Sequence, residues 1–404
     1  MGLTESSTQQ TSHSSSAISH LRSSTKKKKD DKKGGDGGYV RRAYHAGSWY
    51  DSSPKELNGL LTAYLADAAA SSTKNGIVEN GNAPKKTSDD DDDEGVPRAI
   101  ISPHAGYSYS GPTAAYAYMA LLEALNGSEN KCTIKTIVVL HPSHHVRLDQ
   151  CAVSGASIIE TPLLNLSIDK TLRSQLLSTK KFTTMTKSID EHEHSGEMQY
   201  PYIAKAILDS NISSTPHLHP TVLPIMVGGI SRSKEEYYGQ LLSPILARSD
   251  VFTIVSTDFC HWGNRFGYAP TSSASFSSHD GSDGDDDDVT TKINIHEYIE
   301  WLDKLGMTHI EAQRPGAFAD YLRMYSNTIC GRHPIAVWLN AIVCKSNNET
   351  KEKEEKNDTT KAINGDDDGD LDVSFVRYAQ SGQVMSTRES SVSYASAVAR
   401  KRRG

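Results

Sequence analysis

Three runs of aliphatic and β-branched residues in this chain each break at a turn that carries histidine. They are RAIISPHAGYSY at 98–109, IKTIVVLHPSHH at 134–145 and VFTIVSTDFCHWG at 251–263. Near-continuous apolar runs of this length predict strands buried on both faces. In an open α/β sheet, ligands collect beyond the carboxyl ends of such strands. Three strands that finish in imidazole therefore predict one shared rim, and with it a metal or acid–base site.

At 404 residues the chain has room for two average domains or for one large α/β domain with insertions. Its apolar fraction, 36%, is low, and the deficit is concentrated in Ser, Asp and Lys tracts. Residues 1–38 are Ser/Thr-rich and then run KKKKDDKKGGDGG, which predicts a disordered arm. Acidic loop insertions are expected near 71–94, 271–288 and 345–370. Most of the net charge of −7 lies in these tracts, so it says little about partners, and no nucleic-acid partner is expected. The third tract ends in NGDDDGD, but the ligand spacing of a calcium loop is absent. Five scattered cysteines without C-x-x-C spacing argue against a disulfide scaffold and for a reducing compartment. No apolar run is long enough to span a bilayer and no secretory signal is visible, so a cytoplasmic location is expected. MGLTES fits the myristoylation pattern with Gly2 as acceptor. Lys26 and the lysines that follow through Lys29 would give the second signal for weak membrane association. The basic tail at 400–404 is read as solvated, with a nuclear address as the alternative.

Between the tracts, strands and helices alternate. Strands are expected at 98–102, 133–140, 151–154, 221–227, 251–257 and 373–379. Helices are expected at 54–65, 111–125, 197–208, 234–247, 293–305, 315–325 and 333–344. Ser53-Pro54 supplies a cap followed by proline at the first helical position, and Ser233 is expected to cap KEEYYGQLLSPIL. The pattern predicts a single α/β domain over 39–399, a central sheet with helices on both faces.

The candidate chemistry sits in five turns. His104 follows the first strand, His144 and His145 the second, and Asp258, Cys260 and His261 the third. SNTICGRHP, between two helices, offers Cys330, Arg332 and His333. DEHEHSGEMQYPY crowds Asp190, Glu191, His192, Glu193, His194 and Glu197 ahead of a helix. His194 and Glu197, spaced i, i+3, face one way if that helix starts early. Neutral imidazole is the commonest metal ligand. Two histidines with a carboxylate suit redox iron, whereas a thiolate shifts preference towards Cu(I), iron or zinc. The plainer alternative for each histidine is a capping or hydrogen-bonding role in its loop, and for Cys330 a small buried hydrophobe.

YHAGSWY, PHAGYSYSG, PSHH, STDFCHWG, NTICGRHPI and SSVSYAS occur in this order, and the chain resembles the Memo family, mediators of ErbB-driven cell motility, from about residue 41 to 399. The resemblance implies an αβα sandwich with a central mixed sheet, similar to class III extradiol dioxygenases. It implies an iron or copper site made by His104, His144 and Cys330. The pocket around it would include His145, Asp258, His261, His194, Trp49 and Arg332; Asp258, His261 and His194 are the candidates for any catalytic role. It also implies links to redox control, motility and the microtubule cytoskeleton, and to phosphorylated receptor or signalling peptides as partners. Three departures stand out. His141 precedes Pro142 where glycine is usual, adding an imidazole near the site. Gln199 follows Met198 where histidine is expected, which removes the basis for a pocket role there. The acidic loops and the arm are additions.

Three functions follow as expectations. One is a cytosolic metal-binding redox or signalling protein. Another is an extradiol-type dioxygenase, a non-haem metal-dependent oxidoreductase, which needs a carboxylate ligand such as Asp258. The third is a phosphotyrosine-peptide module without catalysis, built on Arg332, Trp49 and Trp262.

Overall fold

A computed structural model describes residues 38–74, 95–127, 132–270, 294–354 and 370–402. The arm with Gly2 and Lys26, the second acidic tract and the NGDDDGD segment up to Gly369 lie outside these residues. In the first half, β1 (Tyr39–Arg41) leads to α1 (Pro54–Lys74), β2 (Pro97–Ser102), α2 (Tyr107–Asn126) and β3 (Thr136–Pro142). Then come β4 (Cys151–Val153), β5 (Ala156–Ile159), β6 (Leu166–Ser167), α3 (Lys170–Ser178) and β7 (Phe182–Thr184). Two short helices, α4 (Lys187–His192) and α5 (His194–Glu197), precede α6 (Tyr200–Asp209) and β8 (Thr221–Val227). The second half holds α7 (Arg232–Leu246), β9 (Val251–Ser256), β10 (His261–Trp262), α8 (Ile295–Glu311) and α9 (Pro315–Tyr325). It ends with α10 (Arg332–Glu354), β11 (Leu371–Gln380) and β12 (Ser391–Lys401).

The large sheet runs β10-β12-β2-β9-β3-β8-β4-β7, with β11 paired to the outer side of β12. Its centre, β2-β9-β3-β8, is parallel, while β12 and β4 are antiparallel to their inner neighbours, so the sheet is mixed. TIVVLHP and VFTIVS are buried at every position, which requires cover on both faces. α2, with α1 and α6, packs against β2 and β12, and α7 with α10 packs against β3 and β9. The result is an α/β sandwich. Because the four central strands point one way, the residues after Ser102, Pro142, Val227 and Ser256 emerge at one edge, and Ser102 lies directly beside Ser256.

Several boundaries differ from expectation. α2 begins at Tyr107, ahead of Pro112, because the Tyr107 amide donates to Trp49 O at 2.9 Å and its hydroxyl to Met198 O at 2.8 Å. Ser231, not Ser233, caps α7, accepting the Lys234 amide. α1 and α10 run on into the tracts read as loops, to Lys74 and Glu354. β12 continues through Arg400 and Lys401, residues read as tail, and the Arg400 fork holds both Glu123 oxygens at 2.7 Å.

One buried cation ties the smaller sheet, β1-β5-β6, to the edge where the strands end. Arg41 is 1% exposed, and its guanidinium donates to Asp190 Oδ1 at 2.9 Å and Glu197 Oε2 at 2.7 Å. It also donates to the carbonyls of Asp190 and Glu193 at 2.8 and 3.1 Å. Tyr39 and Ser154 complete Asp190, and Tyr50 with the His45 amide completes Glu197. Removing the cation leaves two buried carboxylates uncompensated. Arg41→Met is expected to cost about 3–5 kcal/mol, read as a fall in the urea midpoint; an unchanged midpoint would contradict this role.

Candidate metal centre

The parallel strand ends deliver the side chains. His104 leaves β2 after Pro103 and is 2% exposed. Its amide donates to Asp258 Oδ1 at 2.8 Å, which fastens the two turns together. The His104 Nδ1 lies 2.8 Å from Ser256 Oγ. Ser256 has one proton, and it goes to Ser195 O at 2.7 Å. Gln199 Nε2 donates to the same Oγ at 2.8 Å, and its amide is oriented by the Pro103 carbonyl at 3.1 Å, which can only accept. Ser256 is therefore an acceptor towards His104, so Nδ1 carries the proton and Nε2 keeps its lone pair.

His144 is arranged in the same sense. Its Nδ1 faces Glu193 Oε1 at 2.8 Å, and its amide donates to Glu193 Oε2 at 2.6 Å. Nδ1 is the donor to the carboxylate, so Nε2 is the nitrogen turned to the cleft. Its side chain is 27% exposed, so the cleft opens to solvent here. Cys330 comes from the turn between α9 and α10, and its Sγ lies 3.1 Å from His104 Nε2. The Asp258 amide donates to that sulfur at 3.2 Å. Gly331 makes the approach possible: a Cβ there would stand 2.6 Å from Ser256 O. Its amide instead donates to Thr257 Oγ1 at 3.0 Å.

His194 joins them at the head of α5. Its ring stacks on His144 at 4.5 Å, lies 5.5 Å from that of His104, and is backed by Trp49 at 4.4 Å. One ligand atom each from His104, His144 and His194 lies within 4.8 Å of the others, a spacing that could hold a metal ion. His145 is exposed, with its ring 5.9 Å from that of His194. His261 donates from Nδ1 to Phe259 O at 2.9 Å and lines the cleft, as do Arg332 and His333. The cleft holds about 430 Å³.

Electrostatics separate these groups. Burial opposes a charge on His144, but hydrogen bonds with Cys330 and Glu193 outweigh it and push its pKa up to about 10. His194 is pushed down to about 3 by burial and by the charge on His144. Burial, with His144 and His194 beside it, holds His104 well below its ordinary value. Glu193, which burial alone would raise, is held far below the carboxylate range by its hydrogen bond to His144. Burial raises Asp258 against the opposing charge of His261.

Some expectations change. His194 and Glu197 do not face one way: His194 enters the cleft while Glu197 turns to Arg41 and Tyr50. Trp262 is fully buried and cannot meet a peptide. Asp258 is the anchor of the His104 turn and stands outside the imidazole group. Gln199, given no role, orients Ser256 from a fully buried position that also accepts the Tyr118 hydroxyl at 2.7 Å. His141 also stands outside the donor group. It is buried in β3 beside Ser195 Oγ at 3.0 Å and Pro142 O at 3.1 Å. It fits because residue 196 is glycine, whose Cβ would come within 3.1 Å of the ring. Glu193 and Ser256 lie inside DEHEHSGEMQYPY and STDFCHWG, but nothing local marks them as partners of His144 and His104.

A mixed α/β fold with histidines and a thiol gathered beyond its parallel strand ends is the class this structure defines. The Memo-like protein family matches residues 41–398. Protein MEMO1 of mouse and of human are each 39% identical over 355 residues, covering 88% of this chain and 95% of theirs. The memo-1 homolog of Caenorhabditis elegans is 34% identical over 364 residues, covering 90% of this chain and 83% of its own. The chain belongs to the Memo family. No helix among the described residues is long and apolar enough to cross a membrane.

The pH response of one group can be derived. Burial pushes His141 from 6.5 to about 4. Between those values the unfolded chain binds the proton and the folded one does not. Unfolding then takes up a proton, so stability is lost as pH falls from 6.5 to about 4, on the order of 3 kcal/mol. His141→Gln should flatten that limb of a urea-midpoint profile measured from pH 4 to 7; an equally steep profile would refute the assignment.

Proposed function

We propose that this Memo family member is a metal-binding protein that holds iron or copper on His104, His144 and Cys330. One observation carries the reading. The two imidazoles have their Nδ1 protons committed to Ser256 and Glu193, and the Cys330 sulfur lies 3.1 Å from His104 Nε2. Fixing the far nitrogen is how proteins orient histidine ligands. The donor set fits a soft or borderline metal, because a metal-bound thiol is deprotonated and thiolate favours copper or iron over hard cations. A bound copper or iron ion would supply one-electron chemistry. Asp258 anchors the loop, Glu193 raises the basicity of His144, and His261 borders the cleft that a small molecule would enter. Redox control and cytoskeletal signalling in the cytoplasm are proposed on the Memo resemblance. The extradiol alternative is weaker, because Asp258 is committed to the His104 amide and the third donor is sulfur.

A specific observation supports a second, compatible reading. Arg332 is exposed on the cleft wall with no ion-pair partner among the described residues. It could receive the anion of a phosphorylated peptide. Elemental analysis of protein purified from its own cells should find iron or copper near one per chain, and Cys330→Ser combined with His144→Ala should abolish it. Undiminished metal in the double variant would overturn the assignment. Titration of a phosphotyrosine peptide should weaken at least tenfold with Arg332→Ala; equal binding would remove the second reading.

A further inference from the structure

We propose that His194 is an alternative third ligand, so that one pair of histidines serves two donor sets, one with sulfur and one all-nitrogen. This rests on the metal-binding reading above. His104 and His144 are common to both sets. On one side stands Cys330, its sulfur 3.1 Å from His104 Nε2. On the other stands His194, with a ligand nitrogen within 4.8 Å of one on each of the same two rings. The two candidates reach the pair from different elements: Cys330 from the turn before α10, His194 from the head of α5.

The two sets differ in what they bind best. Two imidazoles and a thiolate suit Cu(I), whereas three imidazoles suit Cu(II) or zinc. His194 is free to serve. Its Nδ1 is 3.5 Å from Glu193 Oε1, well beyond the short hydrogen bond that this carboxylate accepts from His144 Nδ1 at 2.8 Å. Its ring is buttressed by Trp49 and stacked on His144, which holds it at the site without occupying both nitrogens. The cleft therefore offers a copper ion a ligand matched to either oxidation state within one frame.

The test uses the full chain and copper alone. Cu(I) is supplied anaerobically in ascorbate and competed with a bathocuproine chelator. Cu(II) is supplied without reductant and read by electron paramagnetic resonance. Cys330→Ser should lose Cu(I) affinity by more than the ~10–100-fold that loss of an outer partner costs, yet keep one Cu(II) with nitrogen hyperfine structure. His194→Asn should do the reverse. The ion that each variant retains shows that it is folded. If Cys330→Ser binds Cu(II) equally well with and without His194→Asn, the alternative ligand is refuted while the metal site stands. If the unaltered protein takes up neither ion, the copper reading of the site falls and the two-set proposal with it.

Discussion

The site depends on the Arg41 guanidinium. The cleft is built from strand ends, which the sheet holds rigidly, and from residues 190–197, which no long element holds. Four hydrogen bonds from one buried cation, two to carboxylates and two to backbone carbonyls, fix that segment. Glu193 and His194 sit inside it, so the carboxylate that orients His144 and the third imidazole both inherit their positions from Arg41. A buried pair gives little net stability compared with an apolar core. Here it does something an apolar contact could not, because directional donors aim a short segment whose own helices are six and four residues long.

This division explains what was legible in the sequence. The parallel strands were readable because burial on both faces leaves a continuous apolar run, and the parallel arrangement then forces their ends to one edge. His104, His144, Asp258 and His261 followed from that. Cys330 is less legible: SNTICGRHP offers it as a candidate, but a thiol in a helix–helix turn looks like any buried cysteine, and the ligand role comes from the resemblance alone. β12 is not legible as a strand because SVSYASAVARK is rich in Ser and Ala, although its first nine residues are buried, with β11 along one side and β10 and β2 along the other. Such small residues pack where strands and α2 approach closely, as when Ser396 Oγ donates to Thr113 O at 2.7 Å. Arg41 was unreadable for a different reason. Its partners lie about 150 residues away, and an arginine beside another arginine normally signals a solvated face.

Gln199 shows how a departure from the family pattern can be misread. On sequence alone, replacing histidine by glutamine subtracts chemistry from the pocket. The amide instead satisfies three groups at once: the Tyr118 hydroxyl, the Pro103 carbonyl and Ser256 Oγ. With Ser256 saturated by one donor and one acceptor, the remaining contact with His104 has a single consistent polarity. The tautomer of a candidate ligand is thus set from two residues away, through groups that never enter the cleft.

Charge decides which chemistry the arrangement favours. On the proposed donor set, two neutral imidazoles and one thiolate would bring a single negative charge to a divalent ion. Glu193 stands directly behind His144 and brings the second. Asp258 need not supply one: burial disfavours its charge, and its carboxylate is occupied by the His104 amide. A divalent ion would therefore be balanced without recruiting a carboxylate as a ligand, and a monovalent ion by the thiolate alone. The facial-triad type of oxygen-activating iron centre would place the carboxylate in the coordination sphere. Moving Asp258 there would release the turn that presents His104, so the same contact that builds the imidazole pair also steers the site towards sulfur.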